Sequence, residues 1–203
     1  MAAETKRTAR GALTLDLLEA FVEAASDEMG TAVAVQYLAC LRLGELCSLA
    51  VDCLTTGGNL RIGSNKAFRR TNANRVATSQ AKPLDEFALR AVREAQEAAK
   101  KAGRDGEDPL ITIRPKDYRT QFRGAIQRAG IAIEGLDFVP HSVRHGRVAD
   151  MKVGAPLGVL TKAQLDLAGM SAATSVRYGR SNLERVERLR EVGPELESDS
   201  DDE

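Results

Sequence analysis

Three residues that lie far apart in the sequence could together act on a phosphodiester. Arg42 lies in the segment LRLGEL, Arg144 lies in HSVRHG, and Tyr178 is the last tyrosine of the chain. A guanidinium can bind two phosphate oxygens through parallel hydrogen bonds. A tyrosine hydroxyl can displace a sugar oxygen and hold the broken end covalently. We therefore predict metal-free breakage of a DNA strand if the fold brings these three groups together.

Each arginine motif also has a plainer interpretation. LRLGEL places Glu45 one turn after Arg42 in an apolar run, so the pair predicts either a buried structural ion pair or an arginine held ready for a ligand. HSVRH places His141, Arg144 and His145 on one helix face near the N-terminus, which suits an anion. Two zinc ligands, or a helix cap beside a surface ion pair, are the alternatives. We favour the anion over zinc, because the chain has no other histidine.

The charge of the chain is unevenly distributed. The net charge is zero, but residues 191–203 contain seven acidic residues and no basic ones. Residues 1–190 therefore contain 29 basic and 22 acidic residues, a net charge of +7. The stretch 59–84 has no acidic residue and six basic ones, namely Arg61, Lys66, Arg69, Arg70, Arg75 and Lys82. Phosphate binding requires such a basic footprint, although a solvated basic loop has the same composition.

The composition predicts a mainly helical fold with a small antiparallel sheet. Aromatic residues make up 4% of the chain and tryptophan is absent, so leucine, alanine, valine and isoleucine must build the core. Period and capping signals predict a helix from Thr14 to a break at Gly30, then a buried helix, a turn near Arg42 and a short helix. Further helices are expected from Pro83 to Gly103, over 116–129, from Pro140, over 161–169 and over 172–178. Strands are expected in 59–63, 75–79 and 111–114.

We expect one domain between two tails. Residues 1–13 are predicted to be flexible, residues 14–193 to fold as the domain, and the acidic residues 194–203 to be disordered. The chain has no apolar run long enough to cross a membrane and no secretory signal, so no membrane contact is expected. Three cysteines without metal-ligand spacing indicate free thiols in a reducing compartment. We expect an intracellular protein, and a nuclear one if the host is eukaryotic, since the acidic serine-containing tail suits a kinase site.

Together these motifs resemble the catalytic domain of the tyrosine recombinases, or phage-integrase family, over most of the chain. LRLGELCSLAVDCL is similar to the family's first arginine motif, HSVRHG to its His-x-x-Arg-His motif, and LAGMSAATSVRYGRS to its closing segment. The resemblance implies a catalytic set of Arg42, Lys66, His141, Arg144 and Tyr178, with Glu45, His145 and Met170 in support. Lys66 fits the family's hairpin lysine best, and Lys82 is the alternative.

The resemblance also implies the function. A homotetramer would cut and rejoin double-stranded DNA at specific sites through a 3′-phosphotyrosine, with no cofactor and no metal. Lys66 would protonate the departing 5′-oxygen. The residues Arg61, Arg69, Arg70, Arg75 and Lys82 would contact the DNA.

Two departures from the family pattern keep rival functions open. Met170 stands where the family has histidine or tryptophan, and methionine cannot donate a hydrogen bond. Only residues 1–13 precede the first predicted helix, where the family carries a separate DNA-clamping domain. These departures favour a non-catalytic DNA-binding or assembly module, which the complete catalytic set opposes. A type IB topoisomerase-like relaxing enzyme would use the same residues, and the sequence does not separate it from a recombinase.

Overall fold

The structure is a computed structural model that describes residues 9–62, 80–133, 136–155 and 158–175. The elements run in the order β1 (Ala9–Arg10), α1 (Leu15–Ala24), α2 (Asp27–Leu38), α3 (Leu43–Leu46), β2 (Leu60–Ile62), β3 (Gln80–Lys82), α4 (Glu86–Lys101), α5 (Pro115–Arg128), β4 (Leu136–Asp137), α6 (Pro140–Val153) and α7 (Lys162–Ala168). Residues 172–175 form a further helical turn. The predicted mainly helical fold is therefore confirmed.

Helix α2 forms the centre of the core and contacts α1, α3, α4, α5 and α6. Its buried residues cover most of its circumference, and the partly buried Thr31, Ala34 and Leu38 share the remaining face. Immediately after it, Cys40 has a φ of 49°, a left-handed conformation that is uncommon for a residue with a side chain. The chain turns there and enters α3, so the conformation of Cys40 determines where Arg42 begins the next helix.

Side chains at the helix ends explain several boundaries. The Asp85 carboxylate accepts the N–H of Ala88 at 2.8 Å, so α4 begins after Asp85. Thr161 and Gln164 bond each other's backbone N–H groups at the start of α7, at 2.8 and 3.3 Å. Gly169 ends α7 in the left-handed conformation, with a φ of 57°.

Two small sheets hold the connections between helices. Strands β2 and β3 form the expected antiparallel pair, with Leu60 opposite Lys82. Strands β1 and β4 pair in parallel, with Ala9 opposite Leu136. This second pair was not predicted, because two-residue strands leave no period in the sequence.

Residues 9–13 belong to the segment that we expected to be flexible, and the structure places them against the rest of the fold. The N–H of Gly11 donates to the carbonyl of Asp137 at 2.8 Å, and that of Leu13 donates to Ser142 at 2.9 Å. Leu13 is fully buried in the core. The chain from Ala9 onward is therefore packed against α6 and β4.

Three predicted elements need correction, and a fourth lies outside the described residues. Gly30 lies inside α2, and the break comes earlier, at Ala25 and Ser26, since Ser26 occupies the N-cap position of α2. Helix α4 begins at Glu86 rather than Pro83 because Asp85 caps it. Residues 111–114 form no strand. The second hairpin strand is Gln80–Lys82, and the predicted strand 75–79 lies outside the described residues.

A smaller cluster of buried side chains, here called the C-terminal cluster, joins α6 and α7. It consists of Cys40, Val148, Met151, Leu160, Leu167 and Ala168. Among the helices that the structure describes, none is long and apolar enough to cross a membrane.

Candidate active site

Arg42 and Glu45 form a close pair at the start of α3. The backbone N–H of Arg42 donates to Glu45 Oε2 at 2.8 Å, and Nη1 of Arg42 donates to Glu45 Oε1 at 2.7 Å. The carboxylate is the buried partner, at 7% exposure, whereas the Arg42 side chain is 51% exposed. The sequence suggested a buried arginine, but the N-cap position leaves its guanidinium facing solvent. Glu45 therefore orients both the backbone and the guanidinium of Arg42, while the exposed part of the guanidinium remains accessible to a ligand.

The charges around Glu45 keep its carboxylate ionised. Burial by itself raises the pKa of Glu45, but the bonds from Arg42 and the charges of Arg42 and Arg144 outweigh burial and lower the pKa below its usual value. The site therefore holds a stable negative charge between two guanidiniums.

Arg144 lies behind this pair and is almost wholly buried, at 1% exposure. Its Nη1 donates to the carbonyl of Cys40 at 2.6 Å and lies 3.9 Å from Glu45 Oε2. Its Nη2 donates to the carbonyl of Ala168. Its Nε–H has no hydrogen-bond partner among the described residues. The guanidinium thus joins the α2–α3 turn to the end of α7 and keeps one donor uncommitted within that part of the chain.

The two histidines meet on the same helix as Arg144. The rings of His141 and His145 stand edge to face, with centroids 4.6 Å apart. Burial, followed by the positive charges of Arg144, Arg10 and Arg42, lowers the pKa of His141. Its imidazole is therefore neutral at pH 7 and has the capacity to accept a proton.

Lys82 lies inside the fold, not on the surface that we predicted to face DNA. It is 6% exposed, and its ammonium donates to the carbonyls of Ala39 and Cys40 at 2.6 and 3.0 Å. Burial lowers its pKa to about 8. Burial argues against a DNA contact for Lys82, and both bonds tie it to the turn that carries Arg42.

The closing segment begins beside Arg144. Met170 is half-buried and packs against the C-terminal cluster, and its N–H donates to the carbonyl of Leu165 at 3.1 Å. Farther along, the carbonyl of Ser175 accepts a hydrogen bond from the ammonium of Lys152 on α6, at 2.6 Å. The segment is therefore held to α6 at Ala168 and again at Ser175.

Two of the three tyrosines in the sequence are buried in the core. Tyr37 is 1% exposed and donates to the Asp150 carboxylate, while Tyr118 is fully buried and donates to the side chain of Gln36. Burial raises the pKa of both phenols well above the usual value. Neither hydroxyl can reach a DNA backbone.

Several predicted site residues lie outside the described residues. They are Lys66, Arg69, Arg70, Arg75 and Tyr178. Arg61 is described and exposed, and its guanidinium donates to the carbonyl of Asp52. Within the described ranges, no group of three or more histidine, cysteine or acidic side chains could hold a metal ion.

A profile of the phage integrase family matches residues 12–164. The chain belongs to the phage integrase family. The match includes the Arg42 and Arg144 motifs and ends before Met170 and Tyr178. No curated protein sequence matches the chain.

Solved structures show the same fold for this family member. It matches a lambda integrase dimer bound to a COC′ core site, with a TM-score of 0.63 and 18% identity over 89% of this chain and 52% of that one. It also matches a lambda integrase tetramer bound to a Holliday junction, with a TM-score of 0.63 and 18% identity over 88% of this chain and 50% of that one. The match to the XerA recombinase has a TM-score of 0.60 and 18% identity, over 90% of this chain and 64% of that one. The chain thus spans about half to two thirds of the length of these proteins.

Sequence reasoning missed two features of this phage integrase family site. The first is the left-handed backbone of Cys40. The turn requires this conformation, and a cysteine in the sequence does not indicate it. The second is the burial of Lys152, for which the sequence contains a weak signal. Arg144, Val148 and Lys152 are spaced by four residues on α6, so Lys152 lies on the same buried face as Arg144. A lysine on such a face indicates a specific internal partner.

Proposed function

We propose that this chain cuts and rejoins strands of double-stranded DNA through a 3′-phosphotyrosine intermediate, as a site-specific recombinase. The observation that carries this proposal is that Glu45 brings together two arginines from distant motifs. The carboxylate lies 2.7 Å from Arg42 Nη1 and 3.9 Å from Arg144 Nη1. Two guanidiniums held around one carboxylate leave a net positive charge, which favours the crowded negative charge of a phosphoryl transition state.

The two arginines would act differently on the phosphate. Arg42 is half exposed, so its guanidinium would bind the non-bridging oxygens directly. Arg144 is buried, so it would contribute charge from behind the site. A direct bond from Arg144 would use the uncommitted Nε–H or require Nη1 or Nη2 to leave a carbonyl.

Tyr178 would be the nucleophile. Its oxygen would attack phosphorus, the bond between phosphorus and the 5′-oxygen would break, and the tyrosine proton would pass to neutral His141. The burial of Tyr37 and Tyr118 supports this assignment, since it leaves Tyr178 as the remaining tyrosine of the chain. The phosphotyrosine retains the energy of the broken bond, so rejoining needs no nucleotide.

Lys66 would give its proton to the departing 5′-oxygen. The alternative, Lys82, is buried and bonded to two carbonyls of the α2–α3 turn. Those bonds favour a role for Lys82 in shaping the turn. Lys66 belongs to the same basic stretch as Arg61, Arg69, Arg70 and Arg75, which would hold the DNA backbone.

We infer an intracellular homo-oligomer on DNA, with a tetramer as the complete assembly. The solved lambda integrase structures that share this fold include a dimer and a tetramer on DNA. A non-catalytic DNA-binding module is the second candidate. The burial of Arg144 and the absence of a donor at Met170 favour it, so the test must detect chemistry.

The test is covalent capture on a nicked duplex whose short cut fragment diffuses away, which prevents rejoining. The parent protein should form a protein–DNA adduct, and Tyr178→Phe should form none while binding the duplex equally well. Tyr118→Phe is the matched control and should still form the adduct. An adduct in Tyr178→Phe would remove Tyr178 from the role, and no adduct in the parent would support the non-catalytic module.

A further inference from the structure

Helix α6 carries two buried cations that each hold the segment leading to Tyr178. Nη2 of Arg144 donates to the carbonyl of Ala168, at the end of α7. Nζ of Lys152 donates to the carbonyl of Ser175 at 2.6 Å. The two cations are eight residues apart on one helix, which corresponds to about 12 Å along its axis. One rigid element therefore grips the closing segment at two points.

Burying the ammonium of Lys152 at this position costs desolvation free energy, which would be unfavourable if the side chain served only to fill space. Its side chain is 5% exposed, and burial lowers its pKa. Its hydrogen-bond partner is a neutral carbonyl, so no opposite charge at that bond offsets the loss of water. An apolar side chain of similar length would fill the same volume at a lower cost in desolvation.

The partner of Lys152 lies shortly before the proposed nucleophile in the sequence. Ser175 is 6% exposed, and its N–H donates to the carbonyl of Ser171 at 2.9 Å, within the helical turn 172–175. Tyr178 follows three residues later in the sequence. A carbonyl held by a buried ammonium fixes both the position and the direction of the turn from which the chain continues to Tyr178.

We propose that Lys152 is a positioning residue for Tyr178, acting through the carbonyl of Ser175. The inference rests on the proposed function, since it assigns Lys152 to the delivery of that nucleophile. Arg144 and Lys152 then set the distance between the phosphate site and the tyrosine through the length of α6. Phosphate binding by Arg42 does not depend on Lys152.

The test replaces Lys152 with methionine, which keeps the length of the side chain and removes the donor. Lys162→Met is the matched control, because Lys162 is 87% exposed and pairs with Asp166 within its own helix. Four quantities are measured on each variant: the cleavage rate on the nicked duplex at saturating protein, the DNA dissociation constant, the melting temperature, and amide hydrogen exchange. Lys152→Arg, which restores a donor, is measured alongside.

Lys152→Met should slow cleavage about 10- to 100-fold, since displacement of a reacting group by about 1 Å has such effects. The dissociation constant should stay within about twofold and the melting temperature should not fall, because a buried charge has been removed. Exchange should rise in residues 171–175 and remain unchanged in α2. Lys152→Arg should recover part of the rate, and Lys162→Met should match the parent.

Two results would overturn the proposal. One is cleavage at the parent rate in Lys152→Met. The other is a joint fall in melting temperature, DNA affinity and cleavage in both Lys152 variants, which would make the residue merely structural. If the parent forms no adduct, the proposed function fails, and exchange in residues 171–175 still shows whether Lys152 holds the turn.

Discussion

Nη1 of Arg144 lies 3.9 Å from Oε2 of Glu45, and both side chains are almost excluded from solvent, at 1% and 7% exposure. The same carboxylate bonds the exposed Arg42 at 2.7 Å. One buried negative charge therefore compensates a buried arginine and orients an exposed one. Such a pair is costly to break, because removing one partner leaves the other charge buried alone.

Glu45→Gln should destabilise the fold by about 3 kcal/mol at neutral pH. The pKa of Glu45 is lowered in the folded state, so its contribution is present above the unfolded pKa and is lost as pH falls through the folded pKa. The parent should lose more stability than Glu45→Gln below about pH 4.5, as measured by urea unfolding at several pH values. Asp117→Asn is the control, since its partner Arg114 is 83% exposed and the loss should stay below about 1 kcal/mol.

The cleavage rate should depend on the protonation of His141. Burial and the charges of Arg144, Arg10 and Arg42 lower its pKa from the usual 6.5, so the rate should stay constant from neutral pH through pH 6.5 and fall only below it. Arg10→Gln removes one of these charges and should shift the fall to higher pH. NMR titration of the two histidines provides an independent measure, with His145→Gln assigning the signals. An unchanged profile in His141→Gln would exclude His141 as the proton acceptor.

Lys82 should make stability rise with pH. Burial lowers its pKa to about 8 in the folded state from 10.5, so the unfolded state binds more protons in that window. The parent should gain about 3 kcal/mol relative to Lys82→Met between those two pH values. Burial raises the pKa of Cys40, Cys47 and Cys53, which has the opposite effect on stability. Cys47 and Cys53 contribute equally in parent and variant, whereas the charge of Lys82 lowers the pKa of Cys40, so the Cys40 thiol contributes to the measured difference. A difference that is flat with pH would show that Lys82 is not buried as a cation.

Much of the fold was predictable from the sequence because its signals are local. The start at Pro140 predicted α6 correctly, and the segment 161–169 with its stop at Gly169 predicted α7. The break between α1 and α2 was predicted incorrectly, because Gly30 was read as a helix breaker. In the structure Gly30 is a buried residue inside α2, and a Cβ there would make only an ordinary contact with Val22 Cγ1, at 3.4 Å. Burial of α2 among its neighbouring helices stabilises the helix through this glycine, and packing partners are not visible in a single sequence.

The site was predictable as a set of motifs but not as an arrangement. The pairing of Arg42 with Glu45 follows from their spacing. Which of the two is buried depends on the left-handed turn at Cys40, and the position of Lys82 depends on the register of the hairpin. Such long-range contacts are determined by tertiary packing, which the local pattern does not encode.

Gly146→Ala should prevent stable folding. A Cβ at this position would overlap both the carbonyl oxygen and the carbonyl carbon of Leu13, so α6 would have to move away from the segment before α1. The expected loss is about 3 kcal/mol or more, measured by thermal or urea unfolding. Gly44→Ala is the matched control, since a Cβ there meets nothing within 4 Å. A stable Gly146→Ala variant would show that the close contact between α6 and Leu13 is not retained in solution.

Met170 should limit the rate of cleavage. It follows the segment held by Arg144, and its thioether cannot donate to the phosphate. Met170→His should raise the cleavage rate, because a charge-assisted hydrogen bond to the developing oxyanion contributes about 1.5–3 kcal/mol.

The half-buried Met170 also packs against the C-terminal cluster, so the substitution removes an apolar contact as well as adding a donor. The melting temperature must therefore be measured beside the cleavage rate. Leu165→Met is the control for altered packing, since Leu165 borders the same cluster and its substitution adds no donor. A slower Met170→His with an unchanged melting temperature would mean that the site is built around methionine and that no donor is missing.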